Sequence, residues 1–125
     1  MYTLALRRSF TAWHHLIGGD WGAENKPHTH DYLLELQLRG SSLDKHGYLV
    51  DLVDVEQKLD GVLKTYRGAD LNELPAFAGL NPSLEHFARI LAEELKRQLS
   101  AANLFSLGVQ LWETKHAWAS YRLEF

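Results

Sequence analysis

The chain has 125 residues and a mass of 14.3 kDa, a single domain's length and enough to bury a core without disulfide staples. Apolar residues make up 46% and charged residues 23%, a globular balance that excludes disordered and collagen-like chains. A net charge of −3 leaves no basic surplus for a phosphate backbone, so no nucleic-acid partner is expected.

There is no cysteine, which removes disulfides, thiolate metal sites, iron–sulfur clusters and every cysteine nucleophile. Seven histidines are a high count and the first hint of chemistry. No apolar run approaches the roughly 20 residues that span a bilayer. The start, MYTLALRRSF, has too short an apolar stretch for a signal peptide, and its arginines follow that stretch. A cytoplasmic protein without a membrane partner is therefore expected.

In chain order, residues 2–14 alternate, with Leu4, Leu6, Phe10, Ala12 and His14 on one parity, as in a half-buried strand. The Gly-, Asn- and Pro-containing stretch 17–27 reads as a loop. Residues 28–39 alternate more cleanly: His28, His30, Tyr32, Leu34, Leu36 and Leu38 share one face. Gly40-Ser41-Ser42 ends that strand. Leu52, Val55, Leu59, Val62, Leu63 and Tyr66 then form the stripe of an amphipathic helix. Asn81-Pro82-Ser83 reads as a second helix start, a capping side chain followed by Pro at the first helical position. Its apolar face is Leu84, Phe87, Ile90, Leu91, Leu95 and Leu99. The connector Arg67–Asn81, about 15 residues, is long enough to suspect function.

Phe105, Leu107, Val109, Leu111 and Glu113 alternate on one face of a third strand, and residues 116–124 read as a closing strand. The order β-β-α-α-β-β gives one α+β domain over residues 1–125, with an antiparallel sheet and two helices on one face. Such a sheet has open edges, which oligomerisation commonly closes.

On a strand, i and i+2 point the same way, so His28 and His30 can reach one metal ion. His14, on the apolar parity of the first strand, is the natural third ligand, and three histidines leave an open coordination position. His15 points to the opposite face. The bland alternative is a pair of imidazoles fraying into solvent. His46, His86 and His116 read as surface or capping residues.

Glu113 sits where an inward residue belongs. It is either a strand-end carboxylate that reaches water or a lysine, or an acceptor for a ligand with adjacent N–H donors. Glu24, four residues before His28, is a solvated loop charge or, beside a metal-bound substrate, a general base.

Taken together, Phe10-Thr-Ala-Trp-His14, His28-Thr-His30, Gly47-x-x-x-Asp51, Leu71-Asn72, Asn81-Pro82-Ser83-x-Glu85 and Glu113-Thr114 resemble the 6-pyruvoyl-tetrahydropterin synthase / 6-carboxytetrahydropterin synthase family over nearly the whole chain. The resemblance implies the T-fold and subunits that form trimers and hexamers with interfacial sites. It implies Zn2+ held by His14, His28 and His30, and a pterin whose amino-pyrimidine edge is anchored by Glu113 and Thr114. The implied activity is a pterin lyase acting on 7,8-dihydroneopterin triphosphate or a close relative, by elimination or carbon–carbon cleavage.

Three departures accompany it. The family's catalytic cysteine is Glu24 here, which resembles the subgroup that releases 6-hydroxymethyl-dihydropterin. The family's Asp-His pair aligns with Arg67-Gly68, and its HGH is HTH. The rival expectations are a paralogue that binds zinc and pterin without turnover, and a structural T-fold protein with no metal.

Overall fold

The structure, a computed structural model, describes residues 1–100 and 102–125. Its elements run β1 (Tyr2–His14), β2 (His28–Gly40), α1 (Leu52–Tyr66), α2 (Leu84–Gln98), β3 (Ser106–Trp112) and β4 (Trp118–Glu124). Short 3-10 turns at Gly22–Asn25, Leu71–Glu73 and Pro75–Phe77 fill the connections. The four strands form one antiparallel sheet in the order β1-β2-β3-β4, as the T-fold requires.

The period-2 pattern sets the sheet's buried face. Phe10 and Ala12 of β1, Tyr32, Leu34, Leu36 and Leu38 of β2, and Leu107, Val109 and Leu111 of β3 are all buried. They meet Val55, Leu59, Val62, Leu63 and Tyr66 of α1 and Phe87, Ile90, Leu91 and Leu95 of α2 in a single apolar cluster. Removing this apolar surface from water is the main drive for the fold.

Phe105 departs from the expected stripe. It precedes β3, bonds Arg39 through its backbone, and leaves its ring 52% exposed. Leu52 likewise lies at the exposed first position of α1. The last strand opens at Trp118 rather than at His116, because Thr114 and His116 belong to the β3–β4 turn.

Asp51 caps α1, accepting from the Val53 and Asp54 backbone N–H groups, a role that periodicity had no means to reveal. The expectation for the second helix shifts by two residues: Ser83, not Asn81, is the cap, with its hydroxyl accepting from the His86 N–H at 3.1 Å. Asn81 is released for another task, accepting the Ile17 N–H at 2.9 Å.

The connector between the helices braces β1. Gly68, at φ +73°, turns the chain out of α1, and its N–H bonds the Thr11 carbonyl. The Ala69 carbonyl accepts from Trp13, and a parallel bridge pairs Trp13 with Asp70. Asn72 then bonds the His15 backbone twice, accepting its N–H at 2.9 Å and donating to its carbonyl at 3.0 Å. β1 therefore ends rigidly at His14, and His15 lies beyond the strand rather than on its opposite face. No helix is long and apolar enough to cross a membrane, among the described residues.

Candidate active site

The register of β1 on β2 builds the centre of the site. His14 lies directly opposite His28 as the last pair of the ladder, and His30 opposes Ala12 one step inward. The three rings converge, with centroids 4.6 to 4.9 Å apart.

Backbone carbonyls fix which nitrogens face the centre. A carbonyl only accepts, so His14 Nδ1–H donates to Pro82 O at 3.0 Å and His28 Nδ1–H donates to Lys26 O at 2.7 Å. Both Nε2 lone pairs are left for the interior of the cluster. His14 Nε2 is buried without a hydrogen-bond partner. His28 Nε2 and His30 Nε2 stand 3.1 Å apart. Two nitrogens bound to one tetrahedral ion at about 2.0–2.1 Å lie roughly 3.3 Å from each other. The orphaned lone pair and the close nitrogens thus fit a divalent cation held by His14, His28 and His30. Burial pushes His14 down to about 4, with the Pro82 bond opposing, so this imidazole is neutral as a ligand must be.

Two carboxylates flank the cluster. Glu24 rides on the 3-10 turn Gly22–Asn25, and its Oε2 lies 3.0 Å from His28 Nε2. His14, Glu24, His28 and His30 together bring four potential ligand atoms within 4.8 Å of one another. Glu113, just past the end of β3, turns into the same space, with Oε1 3.0 Å from His30 Nε2 and 3.5 Å from His14 Nε2. It meets histidines rather than a lysine, and its side chain is only partly exposed. Its negative charge, after burial itself, holds the Tyr32 phenol in its protonated form.

A cavity of about 690 Å³ opens over this cluster, within the usual range of small-ligand sites. His14, His30, Glu24, Glu113 and Thr114 supply its polar end, and Leu16, Trp21, Leu84 and Trp118 supply apolar wall. Glu85 also lines it, whereas among the described residues no lysine or arginine does. The residues singled out from the sequence thus meet around one space, His28 standing behind the cavity lining. Trp21, Leu84 and Trp118 were not foreseen. Trp21 carried a signal, a large apolar residue in a loop with no periodicity to place it in a core.

Arg67 and Gly68 lie elsewhere. They line a separate cavity with Ser9, Phe10, Thr11 and Asp31, and Arg67 donates to the Ser9 carbonyl at 3.1 Å. His46 and His116 are exposed, and His86 turns its Nδ1 to the Asn81 carbonyl at 2.8 Å, so none of the three joins the cluster.

The sheet, the paired helices and a convergent imidazole cluster define an α+β protein built on the pterin-enzyme T-fold. The 6-pyruvoyl tetrahydropterin synthase family model matches residues 3–124, and the chain belongs to that family. A dihydroneopterin monophosphate aldolase of Pyrococcus furiosus is 28% identical over 107 residues, 86% of this chain and 85% of that one. The structure of Caenorhabditis elegans 6-pyruvoyl tetrahydropterin synthase superposes with a TM-score of 0.86 at 24% identity, covering 98% of this chain and 96% of that one. A Plasmodium vivax 6-pyruvoyltetrahydropterin synthase with a catalytic glutamate changed to alanine gives 0.82 at 16% identity, covering 99% and 98%.

Proposed function

We propose that this chain is a metal-dependent pterin lyase that cleaves the side chain of a 7,8-dihydroneopterin between its first and second carbons. The observation that carries this reading is the Glu24 carboxylate, 3.0 Å from a metal-ligand histidine at the polar end of a ligand-sized cavity. His14, His28 and His30 hold the ion, for which zinc is the choice that the family suggests. Bound there, zinc supplies Lewis-acid polarisation of the side-chain hydroxyls.

Glu24 removes the proton from the second carbon's hydroxyl. The carbon–carbon bond then breaks, with its electron pair delocalised into the pterin ring, and the second carbon leaves as an aldehyde. The same carboxyl group returns its proton to the first carbon, giving a 6-hydroxymethyl-dihydropterin. The net proton movement is from oxygen to carbon within one substrate, so a single carboxyl group suffices. This accounts for a site with Glu24 beside the cluster and Arg67-Gly68 lining a separate cavity. Glu113, with Thr114 beside it, accepts from the amino-pyrimidine edge in a paired, charge-assisted geometry.

The names of two relatives support this reading. One is an aldolase of dihydroneopterin monophosphate, and the other is a synthase whose catalytic residue, replaced by alanine in the compared structure, is a glutamate. The wall that one chain contributes has Glu24, Glu85 and Glu113 and no lysine or arginine. That charge favours the less phosphorylated members of the dihydroneopterin series over the triphosphate. The open edges of β1 and β4 suit assembly into trimers or hexamers.

The test is a product assay. Zinc-loaded protein is incubated separately with dihydroneopterin, its monophosphate and its triphosphate, and the pterin formed is identified by mass. A 6-hydroxymethyl product with a two-carbon aldehyde supports the reading. A 6-pyruvoyl or 6-carboxy product overturns the cleavage step. Unchanged substrate at full zinc occupancy overturns catalysis and leaves a pterin-binding paralogue.

A further inference from the structure

Resting on the pterin reading above, we propose that Trp21 is the wall on which the flat bicyclic ring of the substrate stacks, and that Gly19 is the seat that sets the indole at its working height.

Trp21 lines the cavity that contains His14, His30, Glu24 and Glu113, yet its side chain is 47% exposed. An indole in that state has apolar area still to bury, and a flat aromatic ligand covers such a face well. Trp118, the other indole on the lining, is 54% exposed too, but it already has a ring neighbour in Trp112, with centroids 6.5 Å apart, whereas Trp21 has none among the described residues.

The loop holds Trp21 in place by specific bonds. Its backbone N–H donates to Asn25 Oδ1 at 2.7 Å, and Asn25 Nδ2 donates to the Leu16 and Gly19 carbonyls, each at 3.0 Å. The Leu16 N–H closes the loop on the Glu24 carbonyl at 2.9 Å. One amide side chain thus ties the carrier of the indole to both shoulders of the loop. Beneath the ring, a Cβ on Gly19 would stand 2.6 Å from Trp21 Cη2 and 2.9 Å from Cζ3, closer than real atoms approach. Any side chain at position 19 therefore displaces the indole. Gly19 does not have a left-handed φ, so its missing Cβ serves the ring above it and not the backbone. Leu16 and Leu84 extend the apolar lining around the ligand, while Glu113 offers a hydrogen-bonding edge. A ring with one polar edge and two apolar faces matches that arrangement.

The test uses neopterin, the oxidised ring that resists cleavage, as a calorimetric probe on the zinc-loaded full chain. Variants are Trp21→Ala, Trp21→Phe and Gly19→Ala, each checked for zinc content, melting temperature and native mass. Stacking on an aromatic side chain predicts binding about tenfold or more weaker for Trp21→Ala, with Trp21→Phe restoring most of it. Gly19→Ala, which keeps the indole but moves it, is expected to fall between them. In turnover the loss should appear mainly in KM. If wild-type protein does not bind neopterin, the pterin reading itself fails. If wild type binds and Trp21→Ala binds equally well, the wall is wrong while that reading stands. A changed native mass for Trp21→Ala also overturns the proposal, by making the indole a subunit contact.

Discussion

Glu24 and Glu113 lie on either side of one imidazole cluster, yet the proposed chemistry gives them opposite duties. Glu24→Gln keeps the shape and removes the base. Turnover should fall by about 10²–10⁴-fold while neopterin still binds, which single-turnover product analysis and calorimetry separate. Glu113→Gln should do the reverse, raising the dissociation constant for neopterin more than it lowers the cleavage rate. His28→Ala should drop bound zinc well below one per chain by elemental analysis, with a folded circular dichroism spectrum retained. The residues of this centre were legible because strand parity places i and i+2 side by side. Glu113's approach to His30 was less so, since it depends on where the β3–β4 turn begins. Trp21 was hidden because a loop residue is positioned by hydrogen bonds such as that to Asn25, which leave no periodic trace.

Among the elements, strands and helices followed their apolar periods closely, whereas the joints between them did not. Asn81 and Ser83 are both good caps by type, and only the path of the chain assigns one to the helix and the other to Ile17. Asp51, which does not line the cavity, tests the value of such a cap: Asp51→Ala should cost about 1 kcal/mol in urea denaturation and leave kcat unchanged. The β1–β2 pairing carries a pH signature. The Gln37 amide and then the Arg7 guanidinium hold the Glu35 carboxyl below its ordinary value of 4.5. A depressed carboxyl stabilises the fold above that value and loses the contribution as pH falls through its folded value. The stability gap between wild type and Glu35→Gln should therefore be widest above pH 4.5 and close on acidification. Arg7 is well exposed, so the gap should be only tenths of a kcal/mol.

For the whole molecule, the α+β class and the element order followed from the sequence pattern alone. The assembly did not, because a sheet edge looks the same in sequence whether or not another strand lies against it. β1 runs 13 residues, and outside the Thr11–Trp13 stretch braced by Gly68–Asp70 its outer edge has no strand beside it, a long edge for a free monomer to leave unpaired. Native mass spectrometry or light scattering should give three or six times the 14.3 kDa chain. A monomer at micromolar concentration would refute the assembly, and with it any site completed by a neighbouring subunit.

The hairpin joining β1 to β2 has a consequence for the order in which the site comes into being. His14, Glu24, His28 and His30 all lie between residues 14 and 30, on two adjacent strands and their loop. Their mutual contacts close short stretches of chain, which form early and at low entropic cost. Glu113 arrives only when the last quarter of the chain adds β3 beside β2. During synthesis the four clustered side chains therefore emerge well before Glu113, the proposed anchor of the substrate. The cluster's own residues are thus local in sequence, while the Pro82 carbonyl that orients His14 and the Asn72 side chain that braces the end of β1 come from the second half of the chain.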